Sequence, residues 1–279
     1  MNLDRSDLGR RRAGGGRSPA GPALAAPPQS VGPSSWLLPD PASADDDGVV
    51  GIGADLAPST LVDAYRRGIF PWPHAGLPLP WFSPDPRGVI RLDGFHVSRS
   101  LRRTLRRRGW ETTVDQAFAA VLGGCSERPA DVGTWITSPM ARAYQRLHEL
   151  GWAHSLEVWE GQRLVGGVYG VQCGGVFTGE SMFHREPDAS KVALADLCAR
   201  LDEAGGTLLD VQLTTSHLRS LGAVDIPRES FLGVLSSARD LDVRLATTRL
   251  PVERLLETPP AAPRGAGGGV ARRAAGGAH

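Results

Sequence analysis

Two polar side chains within one short apolar segment are the strongest sign of chemistry in this sequence. Asp210 and Gln212 interrupt the segment Leu208–Leu213, whose other members are leucine and valine. In a β-strand, residues i and i+2 project from the same face, about 6.6 Å apart at a rise of ~3.3 Å per residue. A carboxylate beside an amide can take a proton and orient an amine. The pattern fits a solvent-facing sheet edge or a pocket wall, and the apolar neighbours favour the pocket.

A second carboxylate, Glu180, occurs in the segment Gly179–Phe183. This segment lacks the second glycine of a nucleophile elbow, and no turn into a helix follows Ser181, which argues against a serine hydrolase. The seven histidines show no metal-binding spacing beside carboxylates, and the three cysteines form no CxxC pair. The sequence therefore predicts neither a metal site nor a disulfide framework.

The segment Ser98–Gly109 predicts a basic amphipathic helix that begins at a serine cap and ends at a glycine. Leu101 and Leu105 share its buried side. The positive charges on another face belong to Arg99, Arg102, Arg103 and Arg106. Such a cluster can be an ordinary solvated face, but in a chain of net charge +1 it also fits a surface that follows RNA phosphates. Aromatic side chains that could stack on bases lie in loop-like sequence at Trp72, Trp81 and Trp135.

Glu180, Asp210 and Gln212 must be positioned by a series of strands and one helix. Glycine-containing turns separate three predicted strands, which are Leu156–Trp159, Leu164–Val171 and Val176–Phe183. The elements predicted to follow are a helix over Asp188–Ala204, a strand over Thr207–Leu213, a short helix over Ser216–Leu221 and another helix from about Glu229. An antiparallel meander followed by a helix and a further strand predicts an α+β domain with a mixed, acetyltransferase-like (GNAT-like) sheet.

A CoA-dependent N-acetyltransferase is one alternative that shares this layout. Such an enzyme needs a glycine-rich loop before the helix, so that free backbone N–H groups meet the pyrophosphate. The segment His184–Ser190 contains no glycine and has acidic residues near the helix start, which disfavours CoA. A non-catalytic tRNA-binding module is the second alternative.

Composition divides the chain into four parts. Residues 1–34 and 257–279, rich in glycine, alanine, proline and arginine, are predicted to be disordered tails. Residues 35–90 are dense in proline and predict a small N-terminal domain, with one helix that Ser59 or Thr60 caps and Gly68 ends. Residues 91–256 form the acetyltransferase-like domain. No secretion signal and no apolar stretch of about 18 residues is present, so we expect a cytoplasmic protein with no membrane partner.

Eight blocks of the sequence stand in a characteristic order between residues 36 and 240. They are Gly68–Trp72, Trp81–Pro84, Gly166–Gly170, Phe177–Phe183, Ala189–Lys191, Asp210–Gln212, His217–Ala223 and Ile226–Arg228. Together they resemble the bacterial leucyl/phenylalanyl-tRNA-protein transferases. The resemblance implies a small N-terminal domain joined to an acetyltransferase-like domain that uses no CoA or other cofactor. It also implies transfer of leucine or phenylalanine from a charged tRNA to the α-amino group of a protein that begins with Arg or Lys, which marks that protein for degradation.

The same resemblance implies where the substrates bind. The pocket for the leucine or phenylalanine side chain maps onto Val168, Phe177, Leu194, Leu197, Leu201 and Leu209, and stacking contacts are expected from Trp72 and Trp135. Because an aminoacyl ester is already activated, the reaction needs alignment and a neutral amine. We expect Asp210 to take the amine proton, directly or through Gln212, and Glu180 to orient one of the substrates. We expect the enzyme to act as a monomer.

Overall fold

The computed structural model describes residues 22–74, 76–127 and 136–257. Its helices are α1 (Pro58–Arg66), α2 (Arg99–Arg107), α3 (Phe118–Ser126), α4 (Ser138–Glu149), α5 (Ala189–Glu203), α6 (Ser216–Ser220) and α7 (Arg228–Ala238). Its strands are β1 (Val49–Ile52), β2 (Phe70–Pro71), β3 (Pro80–Phe82), β4 (Arg87–Arg91), β5 (Glu111–Val114), β6 (Ala153–Glu160), β7 (Arg163–Cys173), β8 (Val176–His184), β9 (Leu208–Gln212), β10 (Val224–Ile226) and β11 (Leu250–Pro251). None of the helices within these ranges is long and apolar enough to cross a membrane.

The strands form two sheets. The smaller sheet has the order β1-β3-β2, and the larger one has the order β10-β4-β9-β8-β7-β6-β5-β11. Strands β6, β7 and β8 form the antiparallel meander that the turn signals predict. Strand β9 then lies parallel to β8, whereas the other paired strands of the described chain run antiparallel. The prediction of an α+β protein with a mixed sheet is confirmed.

Helices cover both faces of the larger sheet. Helices α3 and α4 pack on one face together with the small sheet and α1, and their apolar side chains form one core cluster. Helices α2 and α5 form a second cluster on the other face. Helix α2 begins where the sequence predicts, because Ser98 accepts a hydrogen bond from the backbone N–H of Leu101 (3.2 Å). Leu101 and Leu105 are its buried residues.

Helix α1 starts differently from the prediction. Its N-cap is Ala57, which offers no side-chain oxygen, and Pro58 occupies the first helical turn, where a missing N–H has no cost. Thr60 instead donates its hydroxyl proton to Asp55 (2.7 Å). The predicted end is correct, because Gly68 follows the helix with a φ of 77°. A side chain at that position would also collide with Leu232, at 2.6 Å.

Two boundaries lie elsewhere than composition suggests. Strand β4 begins in the proline-rich region 35–90 and crosses its predicted end, and it pairs with β9 and β10 in the larger sheet. Residues 22–34, expected in a disordered tail, instead run along the catalytic domain. Ala25 donates its backbone N–H to Leu245, and Gln29 bonds to Leu150 and accepts the indole N–H of Trp152. Backbone hydrogen bonds of this kind can order a segment whose composition offers few apolar side chains. Residues 1–21 and 258–279 lie outside the described residues.

Candidate active site

A pocket opens where the two parallel strands of the large sheet stop pairing. Strands β8 and β9 are paired only from Val176↔Leu208 to Thr178↔Asp210. Beyond this point the two strands continue without pairing to each other, and a pocket of about 370 Å³ lies between them. Ligand sites commonly occupy such gaps in a sheet, because backbone groups and side chains from two elements converge there.

Three walls enclose this pocket. The sheet and α5 contribute Val168, Gly179, Glu180, Ser181, Met182 and Leu194; the small sheet contributes Phe70, Pro71 and Trp72; the segment from β9 to α6 contributes Val211, Gln212, Leu213, Thr215 and Leu218. Most of these side chains are apolar, so the pocket suits an aliphatic or aromatic group. Its polar side chains belong to Glu180, Ser181, Gln212 and Thr215, and among them Glu180 and Gln212 are hydrogen-bonded to each other.

Glu180 is held by hydrogen bonds to both of its carboxylate oxygens. Gln212 donates its side-chain N–H to Oε1 (2.9 Å), and Tyr144 donates its hydroxyl proton to Oε2 (2.8 Å). The hydroxyls of Tyr65 and Tyr144 are 2.7 Å apart. Because Tyr144 gives its only proton to Glu180, Tyr65 donates to Tyr144. A series of hydrogen bonds therefore links Tyr65 on α1, through Tyr144 on α4, to Glu180 at the pocket.

The surroundings of Glu180 change its acidity. Burial raises the pKa of Glu180 to about 7. The hydroxyl groups of Tyr144, which donates to Glu180, and of Tyr65, which donates to Tyr144, partly oppose this effect. Nearby Asp210 raises the pKa further, while Arg87 lowers it. Burial also raises the pKa values of Tyr65 and Tyr144 well above the ordinary value, so both remain proton donors. A carboxyl group that titrates near neutrality is suited to general acid–base catalysis.

Asp210 does not reach the pocket, which corrects the prediction that it shares a strand face with Gln212. Gln212 has a φ of 62°, so the strand ends there and the regular alternation of side chains is lost. Asp210 is fully buried and accepts two hydrogen bonds from Arg87 (2.8 and 2.7 Å). Thr178 (3.0 Å) and the backbone N–H of Gln212 (2.9 Å) supply two more. Four donors occupy its oxygens, so the structure argues against Asp210 as the base.

The predicted substrate residues divide into two groups. Val168, Leu194 and Trp72 line the pocket. Phe177, Leu197, Leu201 and Leu209 do not; they are buried in the core cluster behind it. Trp81 is also buried and donates its indole N–H to Gly53 (2.7 Å), so it is not a stacking surface. Trp135 lies outside the described residues.

Sequence reasoning missed several residues of this site. Phe70 and Pro71 belong to the Gly68–Trp72 block, and their place beside Trp72 was the available signal. Met182 follows Glu180 by two residues in β8 and could have been placed on the same face. Tyr65 and Tyr144 carried no such signal, because helical spacing identifies them only as buried residues.

The predicted basic helix presents its charges to solvent. The exposed side chains include all four predicted phosphate contacts, Arg99, Arg102, Arg103 and Arg106. Helix α2 is tied to the start of α5, because Thr104 donates to Asp188 (2.8 Å), which also pairs with Lys191 (2.6 Å). Asp188 therefore occupies the N-terminal end of α5. No cluster of three or more histidine, cysteine or acidic residues that could hold a metal occurs in the part of the chain that the structure describes.

Fold and site together define the class of protein. The mixed sheet holds an apolar pocket. Beside it lie a carboxyl group with a pKa near neutrality and an amide that can orient a substrate. This arrangement is that of an α+β group-transfer enzyme that acts on a substrate with an apolar side chain. Comparison with known families identifies the chain further. Residues 89–236 match the family "Leucyl/phenylalanyl-tRNA protein transferase" and residues 54–85 match its N-terminal domain. The chain belongs to this family.

Curated relatives agree with the family match. The relatives are named leucyl/phenylalanyl-tRNA–protein transferase. The one from Nitratidesulfovibrio vulgaris (strain DP4) is 50% identical to this chain, over 77% of this chain and 93% of the relative. The relative from Klebsiella pneumoniae (strain 342) is 49% identical, over 72% and 86%. The relative from Anaeromyxobacter sp. (strain K) is 50% identical, over 74% and 89%.

Proposed function

We propose that this protein transfers leucine or phenylalanine from aminoacyl-tRNA to the N-terminal amino group of an acceptor protein. The observation that supports this most directly is the largely apolar pocket that holds the hydrogen-bonded pair Glu180 and Gln212. The apolar walls fit the aminoacyl side chain, and the polar side fits two amino groups and an ester. Family membership supplies the donor and the acceptor. From the resemblance we also propose acceptors that begin with Arg or Lys.

In the proposed reaction, the acceptor amine replaces the ribose oxygen on the aminoacyl carbonyl carbon. Glu180 takes the proton of the acceptor ammonium and releases it to water, and Gln212 orients the neutral amine through its side-chain carbonyl. The amine nitrogen attacks, the C–N bond forms and the C–O bond to the ribose breaks. The second amine proton passes to the departing ribose oxygen. This route uses neither a metal nor a cofactor.

The pKa values of the two groups make this proton transfer feasible. A free α-amino group has a pKa of about 7.7 to 8, and the pKa of Glu180 is raised to about 7. The transfer is therefore nearly balanced in free energy, whereas a carboxylate of ordinary acidity would be a much weaker base. We therefore propose Glu180 as the general base, in place of Asp210, which the sequence suggests for this role. Asp210 keeps a structural role.

The tRNA is proposed to bind along α2. Exposed Arg99, Arg102, Arg103 and Arg106 provide positive charge that phosphate groups attract. Trp72, half-buried at the pocket wall, and Trp135 are the residues proposed to contact the 3′ end of the tRNA. Because aminoacyl-tRNA is used in the cytoplasm, we propose that location. We also propose that the enzyme acts as a monomer.

The acetyltransferase-like topology is also part of this proposal. Its support is the order of meander, helix α5 and strand β9, together with the gap between the parallel strands β8 and β9. CoA is disfavoured, because the carboxylate of Asp188 lies at the start of α5 and pairs there with Lys191 and Thr104. A pyrophosphate at that helix end would meet a negative charge.

One assay tests the proposal against both alternatives. The protein is incubated with leucyl-tRNA and acetyl-CoA, each carrying a different label, and with a peptide that begins with arginine. We expect leucine to reach the peptide amine. Transfer of the acetyl group would establish the CoA-dependent alternative, and tRNA binding without transfer of either label would establish a binding module.

A further inference from the structure

Arg87 is a charged residue enclosed entirely by protein beside the active site. Its side chain is 1% exposed, and its partner Asp210 is 0% exposed. The guanidinium donates twice to the carboxylate of Asp210 and once to the backbone carbonyl of Gly68 (3.1 Å). It also lies between two aromatic rings, 4.9 Å from the centre of Phe70 and 4.5 Å from that of Phe231. A planar guanidinium can satisfy all of these contacts at once, whereas a lysine ammonium cannot.

The contacts of Arg87 lead to two opposite walls of the pocket. On one side, Asp210 accepts the backbone N–H of Gln212 and so holds the left-handed turn from which the Gln212 side chain reaches Glu180. On the other side, Gly68 precedes β2, whose Phe70 and Pro71 form the aromatic wall with Trp72. One side chain therefore connects the catalytic wall to the aromatic wall, across the boundary between the small and the large sheet.

Neither Arg87 nor Asp210 lines the pocket, so neither residue takes part directly in the proposed reaction. A buried ion pair adds little net stability compared with apolar residues of equal volume, so stability alone is a weak reason for it. The bidentate pair does fix direction and distance. Transfer of an acyl group to an amine depends on such alignment, since a displacement of about 1 Å can cost about 100-fold in rate.

We propose that Arg87 is a positioning residue for aminoacyl transfer, which sets the spacing between the Glu180–Gln212 wall and the Phe70–Trp72 wall. This inference rests on the proposed function. It predicts that loss of the Arg87–Asp210 geometry slows the chemical step while tRNA binding and the pH at which Glu180 titrates stay the same. A merely structural residue would reduce the amount of folded enzyme without altering the rate of each folded molecule.

The test is single-turnover transfer of leucine from leucyl-tRNA to an arginine-starting peptide, with Arg87→Lys compared against Arg91→Lys. Arg91 lies four residues along the same strand, and its exposed side chain pairs with Asp93. The amplitude of the reaction reports the fraction of active enzyme, and the rate constant reports alignment. We expect Arg87→Lys to lower the rate constant by about 10- to 100-fold, with a tRNA affinity within twofold of the wild type. Arg91→Lys should match the wild type.

A second variant guards against failure of Arg87→Lys to fold. Arg87→Met combined with Asp210→Leu removes both buried charges and retains apolar volume, which proteins often tolerate well. It should show the same fall in rate constant, with little net shift of the pH profile, because the opposing effects of the Arg87 and Asp210 charges on the pKa of Glu180 are lost together. A wild-type rate constant in either variant, with only the amplitude reduced, would overturn the positioning role. Failure of the wild type to transfer leucine would instead refute the proposed function.

Discussion

At the residue scale, the position of Glu180 and its acidity have the same origin. The tyrosine hydroxyl that fixes Oε2 and the amide that fixes Oε1 come from α4 and from the end of β9. The protein packed around them raises the pKa of the carboxyl group to about 7. A base held in this way titrates near the pKa of the amine it serves. It also needs no rearrangement before accepting a proton from an amine beside Gln212.

Glu180→Gln should remove this titration. The neutral amide preserves the size of the side chain but cannot take a proton, so we expect transfer to slow by about 10²- to 10⁴-fold. In the wild type the rate should rise with pH through about 7, as Glu180 ionises, and the variant should lack this step. Single-turnover rates between pH 5.5 and 8.5 measure both effects. A variant with the wild-type profile would show that another group takes the proton.

Tyr144→Phe provides a finer check of the same residue. The hydroxyl of Tyr144 stabilises the ionised form of Glu180 and so lowers its pKa. Without that hydroxyl, the step in the pH profile should move to higher pH, and the rate below pH 7 should fall more than the rate above pH 8. Tyr169→Phe is the matched control, because Tyr169 lies in the same aromatic cluster and its hydroxyl has no hydrogen-bond partner among the described residues. A shift in the control as large as in Tyr144→Phe would contradict the assigned hydrogen bond.

Substitutions at Val168 and Leu197 test which predicted substrate residues line the pocket and which belong to the core. Val168→Phe should fill part of the pocket and favour leucine over phenylalanine by roughly 1 to 3 kcal/mol, as expected for a steric misfit in an apolar site. Leu197 is buried behind the pocket, so Leu197→Phe should lower stability by about 1 to 3 kcal/mol through overpacking without changing selectivity. Competition between leucyl- and phenylalanyl-tRNA measures the product ratio. An unchanged ratio in Val168→Phe would show that the side-chain pocket lies elsewhere.

At the element scale, the sequence predicts individual helices and strands better than the gaps between them. Turn residues and apolar runs are local, so the meander and the helices α2 and α5 lie close to their predicted positions. The end of pairing between β8 and β9 depends on residues far apart in the sequence, such as Arg87 and Asp210. The alternation of side chains in a regular strand predicts Asp210 and Gln212 on one face. The positive φ of Gln212 breaks this alternation, and no neighbouring residue in the sequence indicates it. Leu197 and Leu201 share the apolar pattern of Leu194, and only the packing of α5 distinguishes them.

The arginines of α2 allow a test at this scale. Replacement of Arg99, Arg102, Arg103 and Arg106 by glutamine should weaken tRNA binding and flatten its dependence on salt, by roughly 0.7 to 0.9 in the log–log slope for each lost phosphate contact. The fold should persist, since these side chains are exposed. Filter binding between 50 and 300 mM salt measures the slope.

The control for this experiment removes equal charge elsewhere. The control changes four exposed arginines that pair with carboxylates, namely Arg91, Arg146, Arg163 and Arg249. Their replacement by glutamine should change the slope much less, because they are partly neutralised and lie on other elements. Equal slopes for both variants would assign α2 to ordinary solvated surface.

At the scale of the whole molecule, segments outside the matched family regions brace the edge of the large sheet. Leu24 pairs with Ala246, and β11 pairs with β5. Arg200, buried in α5, bonds to the carbonyl of Ala246 (2.6 Å) and to Asp196 (2.6 Å). Composition predicted the start of this region as a tail, because glycine, alanine and proline give little apolar surface. Its order comes from backbone hydrogen bonds to distant residues, which composition does not report.

Glu157 is a further buried carboxyl group, on β6, and it does not line the substrate pocket. Burial raises its pKa to about 7, although hydrogen bonds from Ser155, Thr113 and the backbone N–H of Ala117 oppose this effect. Ala117 is the N-cap of α3, so Glu157 supports the start of that helix. A folded-state pKa above the ordinary value of 4.5 means that the folded protein keeps this proton over a range of pH in which the unfolded chain has lost it.

The stability of the whole molecule should therefore depend on pH through Glu157. Between about pH 4.5 and 7 the folded state binds the extra proton, so stability falls as pH rises, by on the order of 3 kcal/mol across the window. Glu157→Gln lacks this titration. Urea unfolding at pH 5 and pH 8 should show that the wild type loses that much stability relative to the variant. Glu149→Gln, an exposed control, should track the wild type at both pH values. A constant difference between the wild type and Glu157→Gln would mean that Glu157 is ionised in the folded protein throughout, with its four hydrogen-bond donors outweighing the effect of burial.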